Sequence, residues 1–207
     1  IGVETLADAN KAITLDKYQT KATKVTDDEA RGLSYDKIGS VIERHRDVVD
    51  ETKYARALHA LAPDSHAAKH PVLTTTGEAV GNRLRLTVAD VINLKASYDA
   101  LKVPVQGRVL VLCPEHVNDL LLQDTTFATR YNNTKDGKIA DMYGFEIYEF
   151  VDAPKYDNAG KKKAFNATAA DTDRNASVSF YAPRMMKATG ETKAYLDEPD
   201  TQNQEWR

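Results

Sequence analysis

One cysteine, one tryptophan and three methionines are all that this 207-residue chain holds of three scarce residue types, and the scarcity of thiols excludes most. A single Cys113 cannot close an internal disulfide, so the fold must stand on its core, and a cytosolic site of assembly fits. No run of roughly eighteen apolar residues occurs, so no helix is expected to span a membrane. No basic segment followed by a short apolar one is visible, so there is no secretory-signal pattern. A positive excess is also lacking. The formal net charge is -3, whereas a dedicated nucleic-acid binder normally carries many surplus cations.

Catalytic signatures are equally scarce. There is no Gly-x-Ser-x-Gly elbow and no phosphate-cradling Gly-x-x-x-x-Gly-Lys. His66 and His70, with His59 upstream, come nearest to a metal site. An i, i+4 histidine pair on a helix can hold zinc, but Pro63 and Pro71 flank this one and deny it a helix, and a metalloprotease glutamate is missing. A solvated loop is the expected reading. Asp27-Asp28 reads as a helix N-terminus, and Asp171-Thr172-Asp173 as a polar loop, rather than as acid–base pairs. Cys113 reads as an inert core thiol with a raised pKa. His45 reads as a partly buried, satisfied histidine. The triplets at Asn132, Asn166 and Asn175 match glycosylation acceptors, which matter only in a secreted eukaryotic protein. The expectation is therefore no catalytic, cofactor-binding or metal-ligating residue, and no cofactor.

What is present describes an ordinary globular protein: 42% hydrophobic and 29% charged residues, with a mean hydropathy of -0.53. The length suffices for a substantial core in one domain or two small ones. Residues 1–26 read as extended, alternating around Ile13, Leu15 and Lys17 and studded with Thr14, Thr20, Thr23 and Thr26. Little there is apolar enough to make a core, so the segment reads as an arm that pairs with something else. Thr26-Asp27-Asp28-Glu29 is a helix start. From there to Pro63, Leu33, Ile38, Val41, Ile42, His45, Val48, Val49, Tyr54, Leu58 and Leu61 recur at three- and four-residue steps. Gly32 and Gly39 weaken this pattern locally. At about 1.5 Å per residue the helix approaches ~50 Å, the length of a strut.

Residues 63–86 read as a loop, a short strand over 72–76 and a turn. Thr87 caps a second helix with Asp90 at the reciprocal position, and Pro104 and Gly107 end it. The apolar run 108–113 reads as a central buried strand, and Pro114 opens a third helix with Val117, Leu120 and Leu121 inward. Residues 144–150 alternate as a strand, with Phe145 and Ile147 on one face. Residues 155–176 read as an exposed, mobile loop, and 177–181 and 193–196 as strands. With no strict βαβ repeat, the class is α+β.

The stretch Val103-Pro104-Val105-Gln106-Gly107-Arg108-Val109-Leu110-Val111-Leu112-Cys113-Pro114-Glu115 resembles a signature of tailed-phage major capsid proteins. So do Val117 to Leu121, Phe127, Gly137-Lys138-Ile139 and Gly144-Phe145-Glu146-Ile147-Tyr148, in the family's order. Asp16-Lys17-Tyr18, Ser34 to Lys37, Phe180-Tyr181 and Lys187 to Gly190 are similar to versions found in gut-bacterial prophages. The resemblance implies the Hong Kong-type capsid fold. Residues 87–184 would form the axial domain. Residues 28–86 and 185–207 would form the peripheral domain, with a spine helix over 28–62. Residues 1–27 would be part of the extended loop. It further implies a structural virion protein, not an enzyme, that self-assembles as hexamers and pentamers into an icosahedral shell around double-stranded DNA. Scaffolding protein, maturation protease and portal are implied partners, with DNA touched only non-specifically, no membrane contact, and assembly in the host cytoplasm. A near-neutral or acidic wall suits a container that must not hold its contents in place.

Some capsids of this fold crosslink lysine to asparagine, and Lys17 and Lys21 lie in the relevant loop. The N-terminal arm, the first strand of the extended loop and a closing strand have no counterpart here. With Ile1 at one end and Trp206-Arg207 at the other, the sequence reads as a protease-resistant fragment. Two other classes stand beside this reading: a hydrolase or transferase with an unrecognised site, and a tail or adaptor structural protein.

Overall fold

The structure, a computed structural model, describes residues 15, 17–32, 34–132, 138–188, 190–196 and 205–206. Ile13, Thr14 and Asp16 of the expected arm, Leu33 of the expected helix, and Gly137 and Thr189 of the motifs lie outside them. In chain order the elements are β1 (Val25–Thr26), α1 (Asp27–Gly32), α2 (Lys37–Leu61), β2 (Ala79–Val80), β3 (Arg83–Leu84), α3 (Val88–Ala100), β4 (Arg108–Leu112), α4 (Pro114–Gln123), α5 (Thr125–Tyr131), β5 (Lys138–Met142), β6 (Phe145–Glu149), β7 (Lys155–Tyr156), β8 (Arg174–Asn175), β9 (Val178–Tyr181), a 3-10 turn (Ala182–Arg184) and β10 (Glu205–Trp206). Helices and sheets are mixed, so the class is α+β. The chain divides into two compact units, one of residues 1–51 and 186–207 and one of Thr52–Met185.

In the first unit β1 pairs antiparallel with β10, Val25 opposite Trp206. Thr26 and Glu29 form the expected helix start: the Thr26 N–H donates to Glu29 Oε2 at 3.3 Å and the Glu29 N–H to Thr26 Oγ1 at 3.4 Å. The single helix expected over 28–62 is instead two. After Gly32 the chain bends, and Asp36 Oδ1 accepts the Gly39 N–H at 2.9 Å, capping a fresh start. Lys37 Nζ reaches back to Glu29 Oε2 at 3.0 Å across the break. The longer piece, α2, has 25 residues, about 37 Å of helix, and it stops two residues before Pro63.

The second unit is built on a four-stranded sheet in the order β5-β6-β4-β9. β4 runs parallel to β6 and antiparallel to β9, so the expected central strand is central. On β5 the pairing with β6 shifts register between Lys138 and Ala140. Side chains alternate across the sheet. Leu110 and Leu112 of β4 and Phe145 and Ile147 of β6 join Val91, Val117, Leu120 and Phe127 of the helices in one core. Val111 and Val178 turn the other way, onto Leu58, Ala62 and Tyr156. Complete burial of an aliphatic or aromatic side chain contributes about 1.5–3 kcal/mol.

Local signals place the helices of this unit. Thr87 and Asp90 close the capping box: the Asp90 N–H donates to Thr87 Oγ1 and the Thr87 N–H to Asp90 Oδ2. Pro114 occupies the first turn of α4 behind Cys113. α3 ends at Ala100, ahead of the expected Pro104, because Lys102 turns left-handed at φ 55°. Tyr143 (φ 55°) and Gly144 (φ 81°) form a two-residue turn from β5 to β6, the conformation that matches the twist of paired strands. Gly107 (φ +85°) is closely packed: a Cβ there would sit 2.9 Å from Pro183.

Three further expectations are corrected. Residues 72–76 form no strand, because Thr75 and Thr76 hydroxyls donate to Leu84 O and Asp90 Oδ1; the strands of this region are β2 and β3, a hairpin about Gly81-Asn82. Residues 193–196 carry no ladder, and Tyr195 stands 86% exposed. Residues 155–176 are a fastened strap rather than a free loop. β7 pairs with β8 at its two ends, and the buried Tyr156 donates its hydroxyl to Pro63 O.

Candidate interaction surface

The feature that stands out from the residues upward is α2. Between Lys37 and Tyr54 no residue of the helix is buried; within the whole element burial is confined to Ala55 and Leu58. Yet Ile38, Val41, Ile42 and Val49 recur at helical spacing there, and Tyr54 is 59% exposed. In proteins most of a helix's stability comes from packing of its apolar stripe. Those four side chains are only half-buried, while Val48 is exposed as Tyr54 is.

The far end of α2 is held firmly. Lys162 of the strap donates its ammonium to His59 O at 3.0 Å and Ala62 O at 2.7 Å, carbonyls at the helix end, and meets Asp64 Oδ1 at 2.8 Å. A cation here satisfies orphan carbonyls and complements the negative end of the helix dipole. His59 Nε2 lies 2.8 Å from Lys163 O, and its ring meets Phe165 edge-on at 5.6 Å. Arg56 stands over the same Phe165 ring at 5.3 Å.

Two arginines organise the rest of this unit. Arg83 grips Asp119 with two nitrogens, at 2.5 and 2.9 Å, and the Leu86 N–H adds a third donor to that carboxylate. Burial pushes the Asp119 carboxyl up, but the Arg83 and Leu86 hydrogen bonds outweigh it and hold the group below the usual range. Arg108, fully buried at the start of β4, donates to Pro104 O, Val103 O and Asp99 Oδ1 and lies 5.3 Å from the Tyr98 ring. It pins the turn 101–107, whose Leu101 and Val105 remain exposed.

Beside Arg83, a polar cleft of about 250 Å³ is lined by Asn82, Glu115, Lys155, Asp173 and Arg174 among others. Its ionic groups are largely engaged. Arg174 donates to the carbonyls of Asn82, Asp171 and Asp173, and Asp173 accepts from the Ala170 N–H and pairs with Lys163 at 3.3 Å.

The residues singled out for chemistry are scattered. His45 is half-buried and bonds Thr23 Oγ1 at 2.8 Å. His66 and His70 are exposed in a turn where Ala67 and His70 pair, and His66 Nδ1 accepts the Val72 N–H at 3.2 Å. Among the described residues, no three His, Cys, Asp or Glu side chains gather as a metal would require. Cys113 is buried, and burial pushes its thiol up. Asp28, Lys17, Lys21, Asn132 and Asn166 are exposed, and Asn175 donates to Glu115 Oε1 at 3.2 Å. Sequence reasoning missed Asp119, Arg83, His116 and Lys162. A signal existed for two of them, since His116 and Asp119 stand i, i+3 on the inward side of α4.

Residues 9–207 match the model of a family described as phage capsid protein. No curated protein matches.

Proposed function

This chain belongs to the phage capsid protein family, and we propose from that premise that it is the major, shell-forming subunit. The family's role is structural, in the capsid of the virion. On this reading the chain assembles with copies of itself into an icosahedral shell of hexamers and pentamers around double-stranded DNA. Residues 87–184 serve as an axial domain of the Hong Kong-type fold, residues 28–86 and 185–207 as a peripheral domain with α2 as its spine, and residues 1–27 as part of an extended loop. Assembly in the host cytoplasm, with scaffolding protein, maturation protease and portal, follows from the same reading. We assign no catalytic role.

One observation carries this beyond the family description. Helix α2 extends about 27 Å, from Lys37 to Tyr54, without burying a residue. Its half-buried Ile38, Val41, Ile42 and Val49 and its exposed Val48 and Tyr54 would gain fuller cover between copies, in a contact face repeated by symmetry. The net charge of -3 lets the shell hold DNA without binding it tightly. Electron microscopy of the full gene product, expressed alone and with its scaffold, tests the proposal. Closed shells are the expected result, and a persistent monomer under both conditions would overturn it.

A further inference from the structure

We propose that the polar cleft beside Arg83 is a binding site for a small oxyanion, a phosphate ion or a carboxylate, held by Lys155 and Arg174. The cleft lies wholly within the Thr52–Met185 unit and does not depend on the capsid reading.

Several elements wall it. The β2–β3 hairpin gives Val80, Asn82 and Arg83, the start of α4 gives Glu115, and β7, β8 and the strap between them give Lys155, Asp173, Arg174 and Asn175. At about 250 Å³ the space falls below the ~300–1,000 Å³ that encloses an organic ligand, so it suits an ion with its water. Three cationic side chains meet two carboxylates there, a local positive excess in a chain whose formal net charge is -3.

The sign of the ligand follows from which charges are already matched. Arg83 is matched by Asp119 and, at 3.7 Å, by Glu115. Glu115 also accepts the Asn175 amide at 3.2 Å. Asp173 takes the Ala170 N–H at 2.8 Å and Lys163 at 3.3 Å. The two remaining cations have no carboxylate against them among the described residues. Arg174 spends Nε and Nη1 on the carbonyls of Asn82, Asp171 and Asp173. Those acceptors are neutral, so they leave its charge unpaired and its Nη2 without a partner. The Lys155 ammonium has neither a hydrogen bond nor an ion pair; its field reaches Asp173, which Ala170 and Lys163 already hold. The Nη2 carries two N–H donors and the ammonium three, and an ionised donor makes its strongest hydrogen bonds to an oxyanion.

The walls are tied together before any ion arrives. Arg174 links the strap to the hairpin, Asn82 Nδ2 donates back to Asp171 O at 3.4 Å, and the Lys163 N–H closes on Lys155 O at 2.8 Å. Donors mounted on such a frame lose less freedom on binding.

Titration of the full chain with sodium phosphate, and separately with sodium acetate, tests this by amide NMR at an ionic strength held constant with chloride. Saturable shifts confined to residues 80–83, 115 and 155–175 are expected for at least one ion, and the tighter of the two identifies the ligand chemistry. Lys155→Gln removes the charge and should weaken that binding about tenfold, as loss of a charged donor does. Lys69→Gln, at an exposed lysine that does not line the cleft, should leave it unchanged. No saturable shifts with either ion, or an equal effect of the two variants, would overturn the proposal. Should Lys155→Gln not fold, the unmodified chain decides: shifts clustered at the cleft uphold the site, and shifts scattered over surface lysines refute it.

Discussion

At the residue scale, the most consequential side chain is one that composition hides. Asp119 is 2% exposed and accepts three donors. Removing it leaves the half-buried Arg83 cation with only the longer contact to Glu115, at 3.7 Å. Breaking a buried pair costs about 3–5 kcal/mol; with Arg83 at 21% side-chain exposure, Asp119→Ala should cost about 3 kcal/mol in urea unfolding at pH 7. The pH dependence has a definite sign. Asp119 and Asp90 both titrate below the ordinary 3.8 when folded, their hydrogen bonds outweighing the opposing effect of burial. The stability they contribute is therefore present above pH 3.8 and lost as pH falls through their folded values. Two of the ten tyrosines titrate at the other extreme. Tyr143, through burial and its bond to Asp124, and Tyr156, chiefly through burial, are pushed up to about 12. In an ultraviolet titration they should ionise last, and stability should fall as pH rises from 10 toward 12.

At the scale of elements, legibility tracks how local the deciding contact is. The run from Thr87 to Leu121 was readable because its determinants sit within a few residues of what they control: Thr87 with Asp90, then the uninterrupted strand 108–112, then Pro114. The break after Gly32 was masked by a periodicity that runs across it, while Asp36 quietly supplies a competing start. The strap was illegible for the opposite reason. Lys162 binds carbonyls 100 and 103 residues away, and nothing in an Ala- and Lys-rich stretch announces them. Lys162→Met keeps the stem and removes the donors, so it should free the strap. Limited trypsin digestion should then cut at Lys161 or Lys163 at least tenfold faster, as the population of the open form rises. Thr87→Ala should cost about 1 kcal/mol, the usual worth of a helix cap.

At the scale of the whole molecule, folding and assembly should be separable. Tyr54 is 59% exposed, and exposed substitutions change stability by about 0.5 kcal/mol or less. Tyr54→Glu should therefore leave thermal unfolding nearly unchanged while strongly reducing the yield of closed shells seen by microscopy. Loss of both together would return α2 to an ordinary folding role. The candidate surface was half legible beforehand. The overlong helical pattern could be read from residue spacing, whereas the half-burial of Ile38, Val41, Ile42 and Val49 depends on contacts distant in sequence.

The slipped pairing on β5 has a consequence of its own. β5 is an outer member of the four-stranded sheet, and rows of unsatisfied amides on such borders invite neighbouring molecules to zip on as extra strands. Where hundreds of identical chains crowd together, that would compete with ordered growth and end in fibres. The irregularity between Lys138 and Ala140 breaks the regular spacing along that strand and makes it a poorer template for such zipping.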